Sequence, residues 1–201
     1  MTTSGKYRYG VLGAVVLAYG SHVLLLMSFP PMMESVSGAL KMSHTQEGLL
    51  MSAVYVAAIL LALPFGRYLD GADLRRTGLW GLGIMLPGTL MCASPPFELM
   101  LAGRFLVGVG GLVTNLVAGA AIGRYFRGRE LGLAMGIFHT LFPAVTLLNF
   151  LFVRDWAHEW GWEWVVLATG CTTVFALVAY AMLWRSRTVH RPVEASQGEV
   201  Y

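Results

Sequence analysis

Residues 64–78 read PFGRYLDGADLRRTG, a charged, turn-forming stretch between two runs that carry no charge at all. The run before it, 48–63, is GLLMSAVYVAAILLAL, and the run after it, 79–93, is LWGLGIMLPGTLMCA. Such runs are long enough to cross a hydrocarbon core of about 30 Å as helices. A short loop holding Arg67, Asp70, Asp73, Arg75 and Arg76 between two spans must then lie at one membrane face. Its arginine excess places that face on the cytoplasmic side, because basic residues are retained there.

Composition agrees with a polytopic membrane protein. The 201 residues are 56% hydrophobic and 12% charged, against about 25% charged residues in soluble domains. The net charge of +3 lies in short loops beside the spans, which argues against nucleic acid as a partner. Cys92 and Cys171 fall at or inside apolar runs and lack metal-ligand spacing, so small core residues are expected there. The first apolar run is too long for a signal-peptide core and lacks a small-residue cleavage site.

Six spans are expected, at about 9–29, 48–65, 78–94, 97–122, 131–153 and 163–184, followed by a polar tail over 185–201. Pro30-Pro31 is expected to stop or kink the end of the first span. Ser43 stands as an N-cap with Gln46 in capping-box position before the second. Ser94-Pro95-Pro96 makes a minimal outer turn, and GRYFRGRE (123–130) makes a second cytoplasmic loop. Trp156, Trp160 and Trp162 sit where an aromatic belt would meet the outer interface. An even number of crossings puts both termini inside, together with Lys6, Arg8, Arg67, Arg75, Arg76, Arg124, Arg127, Arg129, Arg185, Arg187 and Arg191. Only Lys41 and Arg154 fall outside, and an odd number would scatter this bias.

Four stretches in order resemble the N-terminal half of a major facilitator superfamily transporter. The 64–78 loop resembles that family's signature between its second and third helices, G-x-x-x-D-R-x-G-R-R, through Gly66, Asp70 and Arg75. Gly71 and Asp73 depart from the usual arginine and glycine. Arg104-x-x-x-Gly108-x-Gly110-Gly111, the stretch RYFRGRELGLAMGI (124–137) and GLLMSAVYVAAILLALPFG (48–66) resemble the fourth helix, the entry to the fifth and the second helix. The antiporter glycine-proline pattern of the fifth helix is not reproduced, since Phe142 precedes Pro143. The resemblance implies an all-α membrane protein: a six-transmembrane-helix bundle of two three-helix repeats, with helices one and four facing a central pathway. The family uses two such halves around one cavity, with solute near mid-membrane between them.

Candidate residues follow from charge and polarity in apolar surroundings. Arg104 lies one to two turns into its span, where a charge costs several kcal/mol and normally finds the bundle interior or water. It reads equally as an anion, substrate or proton-coupling contact and as a helix-end arginine reaching outward. His22, His139 and Asn115 are the other pathway candidates, and Asn149 an interhelical hydrogen-bonding one. The resemblance makes Asp70 with Arg75 or Arg76 a cytoplasmic latch, with Gly66 beside it and Arg124 and Arg127 as further partners.

The expected function is a half-size secondary transporter of a small solute, completed by a second copy or another six-helix chain in the inner (cytoplasmic) membrane. Proton coupling is the expected drive, with no resident cofactor, no metal and no enzymatic chemistry, since no phosphate-binding loop, dinucleotide fingerprint or metal cluster occurs. The competing expectation is a non-transporting accessory subunit of a larger membrane complex, whose histidines would contact a pigment, quinone or haem. A third is that the chain is a fragment of a full-length transporter.

Overall fold

The computed structural model describes residues 5–184, all-helical apart from short links. Its helices are α1 (Gly5–Leu40), α2 (His44–Leu69), α3 (Leu74–Cys92), α4 (Phe97–Tyr125), α5 (Arg129–Trp160) and α6 (Trp162–Leu183). The tail expected over 185–201, with Arg185, Arg187 and Arg191, lies outside the described residues. Five helices are long and apolar enough to span a membrane. Helix α3 falls short by composition, because Arg75 and Arg76 occupy its first turn.

Local sequence explains most helix ends. The Ser43 hydroxyl accepts from Gln46 N while the Gln46 side chain accepts from Ser43 N at 2.9 Å, closing the capping box at the start of α2. Asp73 caps α3 by accepting from the backbone N–H groups of Arg75 (2.9 Å) and Arg76 (3.2 Å). Gly161, at φ 89°, makes the one-residue link between α5 and α6, a backbone state that glycine enters without steric cost.

Pro30-Pro31 was expected to end or kink the first helix, yet α1 continues to Leu40 with both prolines inside it. Proline removes one donor and crowds the preceding turn, but transmembrane helices tolerate this where neighbouring helices re-satisfy the freed groups. The carbonyls that lose their helical donor here are those of Leu26 and Met27, four residues before each proline. The segment beyond the fifth span is likewise helical up to Trp160. Phe152, Trp156 and Trp160 stack along it at i, i+4 and i+8 spacing, with centroids 5.7 and 5.8 Å apart.

The packing repeats. Helix α1 packs on α5 and α6, while α4 packs on α2 and α3; α1 also meets α4, and α3 meets α6. Exchanging the first three helices for the last three (α1 for α4, α2 for α5, α3 for α6) returns these pairs, although the α5–α6 contact has no comparable α2–α3 counterpart. Two three-helix repeats thus exchange partners across a central α1–α4 seam. These two central helices are the most buried of the spans, and α2 and α5 the least.

Glycines set the approach of α4 to its neighbours. A Cβ on Gly103 would lie 2.6 Å from the Gly88 carbonyl oxygen of α3, and one on Gly110 would overlap the Gly81 carbonyl. The pairs Gly88–Gly103 and Gly81–Gly110 are each seven residues, two turns, apart on antiparallel helices, which is close backbone packing of the small-residue type.

Candidate functional site

The α1–α4 seam is built from two matched pairs of residues. On α1, His22 and Phe29 are seven residues apart; on α4, Arg104 and Gly111 are seven apart. Seven residues are two turns, about 10 Å, so both members of each pair fall on one stripe. The helices run antiparallel, so Arg104 meets Phe29 and Gly111 meets His22. The Arg104 guanidinium carbon stands 4.3 Å from the centre of the Phe29 ring. A Cβ on Gly111 would overlap the His22 imidazole outright. Glycine at 111 is therefore the seat of His22.

Arg104 is 1% exposed, turned into the bundle rather than toward water. Its Nε donates to the Leu50 carbonyl of α2 at 3.2 Å. Its Nη1 is buried and has no hydrogen-bond partner. A ring face and one carbonyl offset part of the desolvation cost, about 2 kcal/mol for a desolvated cation–π contact, but neither carries negative charge. The His22 Nδ1 is a second buried atom with no partner. Tyr19, one turn before His22, has its ring 6.3 Å from the imidazole and 4.6 Å from Phe138 of α5. Beside the seam, Val23, Leu26 and Met27 of α1 pack with Val54 of α2, and Val145 of α5 lies against them.

The other pathway candidates lie elsewhere. Asn115 and His139 are both exposed, on α4 and α5. Asn149, expected to bond between helices, instead donates to Val145 of its own helix at 3.0 Å, leaving its buried Oδ1 unpartnered. Sequence reasoning did not identify Phe29, the Leu50 carbonyl or Gly111 as the surroundings of Arg104 and His22. The equal seven-residue spacings were the available signal.

At the arginine-rich end Asp70 and Arg75 stand apart in this structure, each in a capping arrangement. Asp70 is exposed, caps the end of α2 through its backbone and makes no ion pair among the described residues. Arg75 reaches α6 instead, where Nη2 donates to the Ala181 carbonyl at 3.1 Å and Nε to the Trp184 carbonyl. A cation on otherwise free C-terminal carbonyls is favoured by both hydrogen bonding and the helix dipole. Arg76 lines an outward groove with Tyr68 and Trp80, while Arg124 and Arg127 are exposed, and Gly66 faces open space. The ion pair at this end joins Arg8 of α1 to Glu130 of α5 through two bonds of 2.5 and 2.8 Å. At the opposite end Arg154 of α5 meets Glu34 of α1 at 3.3 Å. Helices α1 and α5 are thus pinned at both ends.

Comparison with known proteins agrees with this architecture. A family model described as the Major Facilitator Superfamily matches residues 11–200. No curated protein matches the chain. Among solved structures, the bundle is similar to a bacterial homolog of the human lysosomal transporter Spinster, crystallised inward-facing and unoccupied. The TM-score is 0.81 at 18% identity, over 91% of this chain and 44% of that one. At that identity the likeness is one of fold, and the chain spans less than half the length of its match.

Proposed function

Because the chain belongs to the Major Facilitator Superfamily and is a multi-pass membrane protein of transporter type, we propose that it is a half-size secondary transporter. Its six helices form one side of an alternating-access pathway for a small solute, and a second copy or another six-helix chain in the inner membrane forms the other. The observation that carries this reading is the α1–α4 seam. The two symmetry-equivalent helices place a buried guanidinium and, two turns deeper, a buried imidazole on one seam, each with an unpartnered atom. Flanking the seam, α2 and α5 leave broad apolar faces uncovered, among them Ile59 and Leu63 at 76% and 79% exposed, and Phe150 and Leu151. In related folds the solute site lies near the midplane where two such units meet. Both termini and the arginine-rich loops are assigned to the cytoplasm by their charge.

Asp70 and Arg124 act in this reading at the cytoplasmic gate as groups free to pair with the opposite unit. Uptake tests it: the reconstituted chain, with any partner that co-purifies, accumulates a solute in liposomes. Arg104→Ala and Asp70→Asn each reduce that uptake at least tenfold. Unchanged uptake in both variants removes the site assignment. No uptake, together with stoichiometric co-purification with a large unrelated complex, establishes the accessory-subunit reading instead.

A further inference from the structure

The internal repeat is broken at one place, and a groove lies there. Helices α5 and α6 pack on each other, whereas their equivalents α2 and α3 do not, although only residues 70–73 join them. The wedge between them holds a groove of about 820 Å³. Tyr68 at the end of α2 lines it on one side, and Arg76, Trp80 and Gly83 of α3 on the other. The α3 residues follow one another by four and three positions, so they share one stripe of the helix. From Arg76 to Gly83 that stripe runs about 10 Å inward from the arginine-rich face. Trp80 is 73% and Tyr68 60% exposed, and a Cβ on Gly83 would meet open space. The groove is thus charged at its mouth and apolar at its deep end, where the glycine leaves a slot.

The two neighbouring arginines at the mouth are used differently. Arg75 donates to the Ala181 and Trp184 carbonyls of α6. The Arg76 guanidinium makes no hydrogen bond or ion pair among the described residues. Asp73, the carboxylate in the lining, accepts the backbone N–H groups of Arg75 and Arg76. It closes the helix N-terminus and leaves the Arg76 side chain as the donor for a ligand. We infer that the groove binds one anionic phospholipid of the leaflet on this side, its phosphate on Arg76 and one acyl chain along Trp80 and Gly83. The charged lining, Asp73 against Arg75 and Arg76, carries one positive charge in excess. A guanidinium meets a phosphate diester through paired N–H donors, and tyrosine and tryptophan sit at headgroup level in a bilayer. A soluble anion would use the mouth of the groove and leave its apolar depth empty. The lipid fills the place where α5 and α6 touch directly in the other repeat. The inference needs the membrane fold and not the transporter reading.

Native mass spectrometry of the full chain tests this, with the protein released from micelles that hold phosphatidylglycerol and phosphatidylcholine of identical chains in equal amounts. The parent is expected to retain phosphatidylglycerol about fivefold more often than phosphatidylcholine, the preference one arginine gives at a membrane surface. Arg76→Gln should bring that ratio to about one. Gly83→Leu fills the slot without changing any charge, and should lower retention of both lipids. Neither substitution removes a contact within the chain, so both variants should melt with the parent in lipid-free detergent. That baseline separates a lost site from a misfolded variant. Equal retention of the two lipids by the parent, an unchanged ratio in Arg76→Gln, or full retention in Gly83→Leu would each overturn the inference. An excess of inorganic phosphate should leave the lipid in place. Displacement by phosphate would identify a soluble-anion site instead and overturn it as well.

Discussion

His22 and Gly111 form a pair whose coupling can be measured directly. The missing Cβ at 111 is the space the imidazole occupies, so Gly111→Ala is expected to cost about 1–3 kcal/mol through overpacking. The overlapping atoms belong to a side chain, and removing them with His22→Ala should restore most of that stability in the double variant. Gly108 makes the contrast. A Cβ there would lie 2.5 Å from the Val54 carbonyl oxygen and 2.8 Å from the Val54 Cα. Backbone cannot step aside, so Gly108→Ala should destabilise at least as much, and truncating Val54 should not rescue it. Thermal unfolding of the four single and two double variants checks both statements. Equal rescue at the two positions would mean that the seam adjusts as a whole. Arg104 and His22 stood out in the sequence because charged and titratable residues are rare in apolar runs. The direction in which Arg104 points was not legible, since it depends on Phe29 and Leu50, which come from two other helices.

Local signals fixed helix starts well and helix ends poorly. Ser43 with Gln46 was readable because a capping box closes within four residues. The stop expected at Pro30-Pro31 does not occur, because the fate of a proline inside a helix depends on what packs around it, and α1 packs on α4, α5 and α6. The extension of α1 beyond those prolines creates a contact that the sequence did not announce. Ser37 near its end donates to the Glu47 carboxylate in the first turn of α2, and the His44 ring lies 3.2 Å from the same carboxylate. The hydrogen bond from Ser37, then that from His44, holds the Glu47 carboxyl below its ordinary value of 4.5. A carboxyl whose pKa is lower in the folded state stabilises that state above the unfolded pKa. The contribution is lost as pH falls through the folded value, so it disappears below about pH 4.5 and is constant above. Melting temperatures taken between pH 3 and pH 6 should therefore fall more steeply at the acid end for the parent than for Ser37→Ala. The two profiles should converge once Glu47 is protonated. Parallel profiles would show that the α1–α2 junction adds nothing through this carboxylate.

At the scale of the whole molecule, the six-helix count was readable from apolar run length and arginine placement, and the two-repeat plan was implied by the family resemblance. What the runs could not show is which helices stay uncovered, because a helix facing lipid and one facing another protein use the same residues. The packing separates them. Helices α2 and α5 are equivalent under the internal repeat, both flank the α1–α4 seam, and both are poorly buried. Helices α3 and α6 are also equivalent, but they cover each other's flanks on the far side of the bundle. A second six-helix unit that completes a pathway at the seam must therefore meet α2 and α5, while α6 remains toward lipid. Cysteines placed on the two kinds of surface report which is right. In a background with Cys92→Ala and Cys171→Ser, Leu60→Cys on α2 should cross-link to a neighbouring unit in native membranes under mild oxidation. Phe175→Cys on α6, exposed to nearly the same extent (65% against 63%), should not. If the product has twice the chain mass, the second unit is another copy; a heavier or lighter product identifies a different chain. Cross-linking through Phe175→Cys alone would place the contact on the wrong side of the bundle for a shared pathway, and the seam would then face lipid.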